Sequence, residues 1–383
     1  MPTVIAIEAK PVEVRGVDTG FLHLYLVKTV TDEQGRVISE KVIRGTAGSN
    51  GDLETLVDAD LATSVDRRGS DTPEERHREV LDLGSRDAND VWRVMVRHAN
   101  NIENADLEYS VDIFRGIPGG DLNSNSVVAS VLNSVSLNLT TSFPDGVSRS
   151  DAPLYGQLRY MYVDDVLFGT SNGDWMRGGV GNDRLYGGNG NDRLYGEDGD
   201  DRLHASNGND RLHGGNGNDL LQGRSGDDFL YGNNDDDRLY GSFGNDYLSG
   251  GSGNDRLYGD AGADILHGGS GKDAFVYNSL PSGPEAIDTI RDFSVANDTF
   301  WLNANDTFWL NDRAFTGLGS EGRLKSGVFR TSSEARDSTD RILYDRDDGV
   351  LYYDADGTGA TEQVALAKLS DGLRLTSLNF LIV

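Results

Sequence analysis

Between residues 169 and 276, apolar and polar positions recur with a fixed period of nine residues. Each nonapeptide opens with a glycine-rich hexapeptide, has aspartate at position six and has a large apolar residue at position eight. That apolar residue is Met176 in the first repeat, leucine in ten repeats and Phe275 in the last. A fixed period of this length indicates a solenoid whose repeats pack on their neighbours. The pattern therefore predicts twelve stacked repeats.

The spacing within one repeat predicts a turn followed by a very short strand. Glycines permit positive φ values and leave backbone carbonyls uncovered, so the hexapeptide can turn tightly. Three residues remain for the strand, and only the middle one is expected to face inward because side chains alternate along a strand. Stacking these strands predicts an internal ladder of leucines, with oxygen-rich turns along both edges.

The turns carry the candidate metal ligands. Position six is aspartate in every repeat, which gives Asp174, Asp183, Asp192, Asp201, Asp210, Asp219, Asp228, Asp237, Asp246, Asp255, Asp264 and Asp273. Backbone carbonyls of turn residues complete the predicted ligand set, for example those of Gly178, Gly181, Gly187, Gly190, Gly214, Gly217, Gly250 and Gly253. Hard oxygen ligands in a flexible loop favour Ca²⁺ over Mg²⁺, which requires a tighter octahedron.

The array resembles the RTX (repeats-in-toxin) family, whose nonapeptides follow the pattern GGxGxDxUx. The resemblance implies a parallel β-roll in which two nonapeptides form one coil and each ion lies between turns stacked on one edge. A disordered linker would not keep aspartate and leucine in register through the whole array. Three repeats depart from the pattern, at Asn172, Ala205 and Asp235, where we expect weaker or missing ions. The predicted cofactor is therefore Ca²⁺, with roughly seven to ten ions.

Composition agrees with a protein that acquires dications. The chain has a net charge of −28, which argues against nucleic acid as a partner because its phosphates would be repelled. Residues 169–276 contain nineteen acidic and nine basic residues, a net charge of −10, so metal binding and folding should be coupled. Cysteine is absent, which excludes disulfides and thiol catalysis.

Two terminal segments bear on localisation. The first residues, MPTVIAIEAKPVEVRG, show no basic segment followed by an apolar one, so we expect no cleaved signal peptide. No apolar run approaches the ~18 residues of a membrane-spanning helix. The RTX resemblance implies type I secretion machinery as a partner, which reads an uncleaved C-terminal signal. The chain ends Asn379-Phe380-Leu381-Ile382-Val383, similar to the tails of that family. A secreted, extracellular protein is expected, with an unidentified cell-surface or matrix partner.

The predicted fold class is multidomain and mainly β. We expect an α+β domain at residues 1–150, a linker and lead-in strand at 151–168, the β-roll at 169–276, and a β-rich cap with the secretion-signal region at 277–383. The alternating pattern predicts a hairpin from residues 20–30 and 36–44. Apolar periodicity predicts helices over residues 87–102, with Asp87 as the cap, and over 125–137.

After the roll, Asp288-Thr289-Ile290-Arg291-Asp292-Phe293 resembles the segment that follows the repeats in serralysin-type C-terminal regions. The octapeptide ANDTFWLN occurs twice in tandem, at residues 296–303 and 304–311. We expect at least one copy to cover the open end of the roll, which would otherwise expose its leucines. Strands are predicted at 341–344, 350–353 and 363–369.

The N-terminal domain offers one weak catalytic constellation. His23 lies in a predicted strand and Ser124 opens a predicted helix, an order similar to that of circularly permuted papain-like domains (NlpC/P60 and LRAT-like), with serine in the cysteine position. The alternative is that Asn123, Ser124 and Asn125 cap the helix and His23 packs in its sheet. No HExxH occurs, and the single GxSxG, at 169–173, lies inside the first turn. A secreted calcium-binding protein and a secreted hydrolase both remain open.

Overall fold

A computed structural model describes residues 2–14, 17–47, 53–60, 77–81, 83, 86–104, 131–132, 164–283, 285–302 and 315–383. The chain forms two units, residues 1–185 and 186–383, and each is described by itself. The architecture is mainly β with a parallel β-solenoid, as predicted. The predicted domain boundaries stay predictions. No helix in the described ranges is both long and apolar enough to cross a membrane.

The first unit contains an antiparallel sheet with strand order β4-β3-β2-β1-β5. Its strands are β1 (Thr3–Val14), β2 (Val17–Thr31), β3 (Val37–Ala47), β4 (Leu53–Asp60) and β5 (His77–Val80). The predicted hairpin is confirmed, since β2 and β3 pair antiparallel. The Asp32 carboxylate fixes the turn by accepting hydrogen bonds from the backbone N–H groups of Gln34 and Arg36.

A long helix, α1 (Ala88–Asn104), follows the sheet. Asp87 caps it as predicted, because its Oδ1 accepts hydrogen bonds from the N–H groups of Asn89 and Asp90. Val94 and Met95 are buried on its apolar face, and so is His98. Of the predicted helix at 125–137, residues 131 and 132 are described, and both are helical and buried. The unit continues through β6 (Val166–Phe168) and β7 (Trp175–Val180).

The regular roll strands recur every nine residues. They are β8 (Arg184–Asn189), β9 (Arg193–Asp198), β10 (Arg202–Asn207), β11 (Arg211–Asn216), β12 (Leu220–Ser225), β13 (Phe229–Asn234), β14 (Arg238–Phe243), β15 (Tyr247–Ser252), β16 (Arg256–Ala261) and β17 (Ile265–Ser270). Each has six residues, so the prediction of a three-residue strand was wrong. Residues at positions seven to nine pair in parallel with the next strand of the sheet, and so do those at positions two and three, as Ser206 does with Arg224. The residue at position one, between these two paired stretches, is buried.

In the second unit the strands alternate between two parallel sheets. One has the order β16-β14-β12-β10-β8 and the other β17-β15-β13-β11-β9. Leucines at position eight stack in register, as Leu221 does on Leu239 and Leu239 on Leu257. These side chains are fully buried, so the predicted leucine ladder forms the core of the roll.

The second unit ends in a β-rich region. Its strands are β18 (Ala274–Tyr277), β19 (Asp288–Ile290), β20 (Thr299–Leu302), β21 (Gly322–Arg323), β22 (Phe329–Arg330), β23 (Ile342–Asp345), β24 (Val350–Tyr353), β25 (Val364–Lys368) and β26 (Phe380–Ile382). The first ANDTFWLN copy supplies β20, which pairs with β18 and β26. Phe300 packs between Phe275 and Phe380, so this copy covers the leucine ladder. The second copy lies outside the described residues.

From the second repeat onward, position two adopts a left-handed backbone even where it is not glycine. Ser242 has φ +83° there. Because an L-residue in this region is strained by about 1–2 kcal/mol, Ser242→Gly should stabilise the folded roll by roughly 0.5–1 kcal/mol. Chemical denaturation at saturating Ca²⁺ measures this. The matched control is Ser249→Gly in β15, where glycine should destabilise; a loss of stability in both variants would contradict the prediction.

Candidate metal centre

The aspartates at position six form two ladders, one along each edge of the roll. In each of the eight from Asp210 to Asp273, one carboxylate oxygen, Oδ1, accepts a hydrogen bond from the backbone N–H of the aspartate eighteen residues earlier. Asp210 accepts from Asp192 at 2.7 Å, and Asp228 accepts from Asp210 at 2.8 Å. On the other edge Asp237 accepts from Asp219 at 2.8 Å. These bonds orient each carboxylate and leave its second oxygen for another partner.

That second oxygen, Oδ2, is buried without a hydrogen-bond donor in eight aspartates of the described roll. They are Asp210, Asp219, Asp228, Asp237, Asp246, Asp255, Asp264 and Asp273. Buried polar atoms are almost always paired, and burying an ionised carboxylate is costly unless a cation or donor accompanies it. A row of such atoms therefore fits a row of bound cations.

The glycine at position one shapes the space that faces each Oδ2. A Cβ atom at Gly250 would lie 2.2 Å from Asp255 Oδ2 and 2.6 Å from the Gly268 carbonyl oxygen. At Gly214 the equivalent distances are 2.2 Å to Asp219 Oδ2 and 2.8 Å to the Gly232 carbonyl oxygen. A carboxylate and a carbonyl from the next turn thus converge on a cradle that a methyl group would fill.

The carbonyls predicted as ligands lie in two different places in the turns, and their role as ligands stays a prediction. The carbonyls of Gly214 and Gly250 face cradles of the preceding turn on their edge. The carbonyl oxygens of Gly190 and Gly253 instead lie where a Cβ atom would be on the position-four glycine of the next turn on the same edge. Among the described residues no three His, Asp or Glu side chains converge on one point. The oxygens that face each cradle belong to an aspartate carboxylate and a backbone carbonyl. Such hard oxygen donors suit Ca²⁺.

Burial raises the pKa of the carboxylates that have no cation beside them, because desolvation disfavours the charged form. Desolvation raises the pKa of Asp237 to about 9 and the pKa of Asp228 to about 8, with neighbouring aspartates adding to the effect. It raises the pKa of Asp246 and of Asp255 to about 7. It raises the pKa of Asp210 and of Asp273 to about 6. A metal-free roll therefore holds protons where the loaded roll would hold cations.

Acidification should accordingly stabilise the calcium-depleted roll. The folded pKa values lie above the usual 3.8, so between about pH 4 and pH 9 the folded state binds more protons than the unfolded one. Its stability then falls as the pH rises through that window. Circular dichroism of calcium-depleted protein should show more β structure at pH 5 than at pH 8, and Asp237→Asn should reduce the difference. A signal that increases with pH would contradict this assignment.

The three repeats that depart from the pattern differ structurally. In the first, the N–H and hydroxyl of Thr170 donate to Asp174 Oδ2, so this carboxylate is engaged within its own turn. In the fifth, the methyl group of the fully buried Ala205 stands where other repeats have glycine. In the eighth, Asp235 keeps the left-handed backbone of the glycine it replaces, with φ +72°. The ion count in these repeats stays a prediction.

The ladders extend beyond the twelve predicted repeats. Asp165 donates its N–H to Asp183 Oδ1 at 2.7 Å, and its Oδ2 lies 2.5 Å from His98 Nδ1. At the other end, Asp264 and Asp273 donate to Asp288 and Asp298. Sequence reasoning missed these roles. Asp165 could have been found, because it lies nine residues before Asp174 and Leu167 lies nine before Met176.

Of the two catalytic candidates, the described residues include His23 alone. His23 lies in β2 opposite Lys10. Ser124 lies outside the described residues, so the predicted pair stays a prediction.

The family model for the RTX calcium-binding nonapeptide repeat matches in four copies, at residues 168–203, 204–239, 213–248 and 240–275. No curated protein matches the chain. This part of the chain therefore consists of RTX calcium-binding repeats, and such repeats bind calcium. The predicted likeness of the N-terminal domain to papain-like domains gains no support.

Two solved structures are similar to the chain at low levels. One is the AlgE6R3 subunit of a mannuronan C5-epimerase from Azotobacter vinelandii, at 19% identity, covering 57% of this chain and 77% of that one, with a TM-score of 0.19. The other is the extracellular lipase LipA from Serratia marcescens, at 17% identity, covering 57% of this chain and 40% of that one, with a TM-score of 0.22. Similarity at this level leaves the chain's own activity open.

Proposed function

We propose that this chain is a secreted calcium-binding protein whose roll folds when it binds several Ca²⁺ ions after export by type I secretion machinery. The observation that carries the proposal is the row of eight buried aspartate Oδ2 atoms without a donor, each in a turn of the RTX repeat. Calcium would supply the missing partner of each oxygen and neutralise the charge that burial disfavours.

Folding and binding should be coupled because the metal-free turns oppose stacking. Residues 169–276 carry a net charge of −10, and the carboxylates of one edge lie in a single row. Each strand contributes one leucine to the core, which offsets little of the ordering cost of a nonapeptide. Extracellular calcium modules bind with dissociation constants on the order of 10⁻⁴–10⁻³ M, far above cytosolic Ca²⁺. The chain would therefore stay unfolded inside the cell and fold outside.

Two features support export of an unfolded chain. Cysteine is absent, so no disulfide can form before or during passage. The repeats that match the RTX model are typical of secreted proteins. The unidentified cell-surface or matrix partner and the hydrolase alternative stay predictions.

The export proposal is tested by expressing the chain in a Gram-negative host with and without a complete type I exporter. We expect the protein in the medium with the exporter present, and in the cells when the exporter's ATPase is inactivated. Protease resistance of the exported chain should require millimolar Ca²⁺ in the medium. Retention in cells that secrete another type I substrate through the same exporter would overturn the proposal.

A further inference from the structure

One outer face of the roll is cationic although the whole chain is strongly acidic. The four strands β10, β12, β14 and β16 contribute four arginines and one acidic residue, Asp260. The arginines are Arg202, Arg224, Arg238 and Arg256. In strand β9 of the other sheet, by contrast, the charge of one arginine is offset by two acidic residues, Glu197 and Asp198. Local positive charge on an acidic protein marks a place where an anionic group can bind.

A groove of about 590 Å³ opens on this face. His204 and Tyr186 line it from position nine, Ser206 and Arg224 from position two, and Ser225 and Phe243 from position three. Its volume lies in the range of small-ligand sites, roughly 300–1,000 Å³. The lining combines hydroxyl groups, a guanidinium and aromatic rings, so it can recognise a polar ligand with one apolar side.

His204 lines the groove and has one ring nitrogen, Nε2, that can accept a hydrogen bond. Its Nδ1 lies 2.8 Å from Gln222 Oε1, and an amide oxygen can only accept, so Nδ1 carries the proton. Burial lowers the pKa of His204, which keeps the ring neutral near pH 7. The remaining Nε2 can then accept a hydrogen bond from a hydroxyl group. Stacking on Tyr186, with ring centroids 5.1 Å apart, fixes the ring plane.

Arg224 and Phe243 supply the complementary contacts. The exposed guanidinium of Arg224 offers only donors, in a planar fork that matches a carboxylate. The ring of Phe243 is 69% exposed, which is unusual for so large an apolar side chain on a soluble surface. An exposed aromatic ring beside a charged donor and several hydroxyl groups suits a ring-shaped ligand with an apolar face and a polar rim.

We infer that this groove binds an acidic saccharide, with the sugar carboxylate on Arg224, the sugar hydroxyls on His204 and the neighbouring serines, and an apolar sugar face against Phe243. A free acidic sugar and a unit of a longer glycan share this chemistry. The side chains that line the groove lie on the outer face of the sheet, and none of them is a position-six aspartate.

Isothermal titration of the full chain at saturating Ca²⁺ tests the inference. The acidic probes are a hyaluronan tetrasaccharide and glucuronate, and their neutral counterparts are chitotetraose and glucose. We expect the acidic probe to bind at least tenfold more tightly than its neutral counterpart. Binding of the tetrasaccharide alone would identify a glycan as the ligand, and binding of both acidic probes a single acidic sugar. Equal binding of acidic and neutral probes, absence of binding, or full displacement by equimolar acetate would overturn the inference.

Two variants locate the site. Arg224→Gln should lower the affinity for the acidic probe by roughly tenfold to a hundredfold, because it removes a charge-assisted hydrogen bond. Phe243→Ala should weaken acidic and neutral sugars alike and serves as the second variant if Arg224→Gln fails to fold. The matched control is Arg211→Gln, on β11 of the other sheet, which should bind as the unaltered chain does. Unchanged binding by both groove variants, with calcium-dependent circular dichroism intact, would overturn the inference and leave the calcium proposal unaffected.

Discussion

Replacing Gly250 by alanine is expected to remove one calcium ion from the loaded roll, and replacing Ala205 by glycine is expected to add one. A Cβ at Gly250 would lie 2.2 Å from Asp255 Oδ2 and 2.6 Å from the Gly268 carbonyl oxygen, in the cradle that the cation needs. Ala205 already has a methyl group at the equivalent position of the fifth repeat. Losing a cation beside a buried carboxylate should cost several kcal/mol of stability, because an unpaired buried charge is strongly unfavourable.

Bound calcium per chain, measured after equilibrium dialysis, checks both substitutions. Gly327→Ala is the matched control, since no atom lies within 4 Å of the Cβ it would gain. We expect one ion fewer for Gly250→Ala, one more for Ala205→Gly and no change for the control. An unchanged count in both roll variants would show that position one does not shape the metal site.

Truncating one leucine of the internal ladder should destabilise the calcium-loaded roll by about 2–5 kcal/mol. Leu239 is fully buried and stacks between Leu221 and Leu257, so alanine there leaves a cavity that rigid neighbouring turns cannot close. Leu378 is 65% exposed and gives the control, for which alanine should change stability by less than about 0.5 kcal/mol.

Urea denaturation at saturating Ca²⁺ measures the difference between these two variants. Equal, small effects would mean that the ladder contributes little beyond the ions. A large loss of stability for Leu239→Ala alone would show that the apolar core contributes to the folding free energy alongside the metal sites.

The sequence predicted the roll well because its physics is local and periodic. Asp and Leu recur at fixed positions, and stacking brings residues eighteen apart into contact, as in Asp210 and Asp228. The strands were predicted too short, because a left-handed residue at position two bends the chain without ending the parallel pairing.

The ends of the ladders were harder to predict. Asp288 and Asp298 pair with aspartates 24 and 25 residues earlier, since inserted loops break the period. Asp165 keeps the period, but its repeat has no glycine to reveal it. His98 is buried beside Asp165, a contact between distant segments that no periodicity in the sequence reveals.

The most direct test of coupled folding is a calcium titration of the full chain, followed by far-ultraviolet circular dichroism at pH 7.5. We expect little roll signal in excess chelator, a cooperative gain of β structure between about 10⁻⁴ and 10⁻³ M Ca²⁺, and no such gain with Mg²⁺. A β signal already complete in chelator, and unchanged by calcium, would contradict the account.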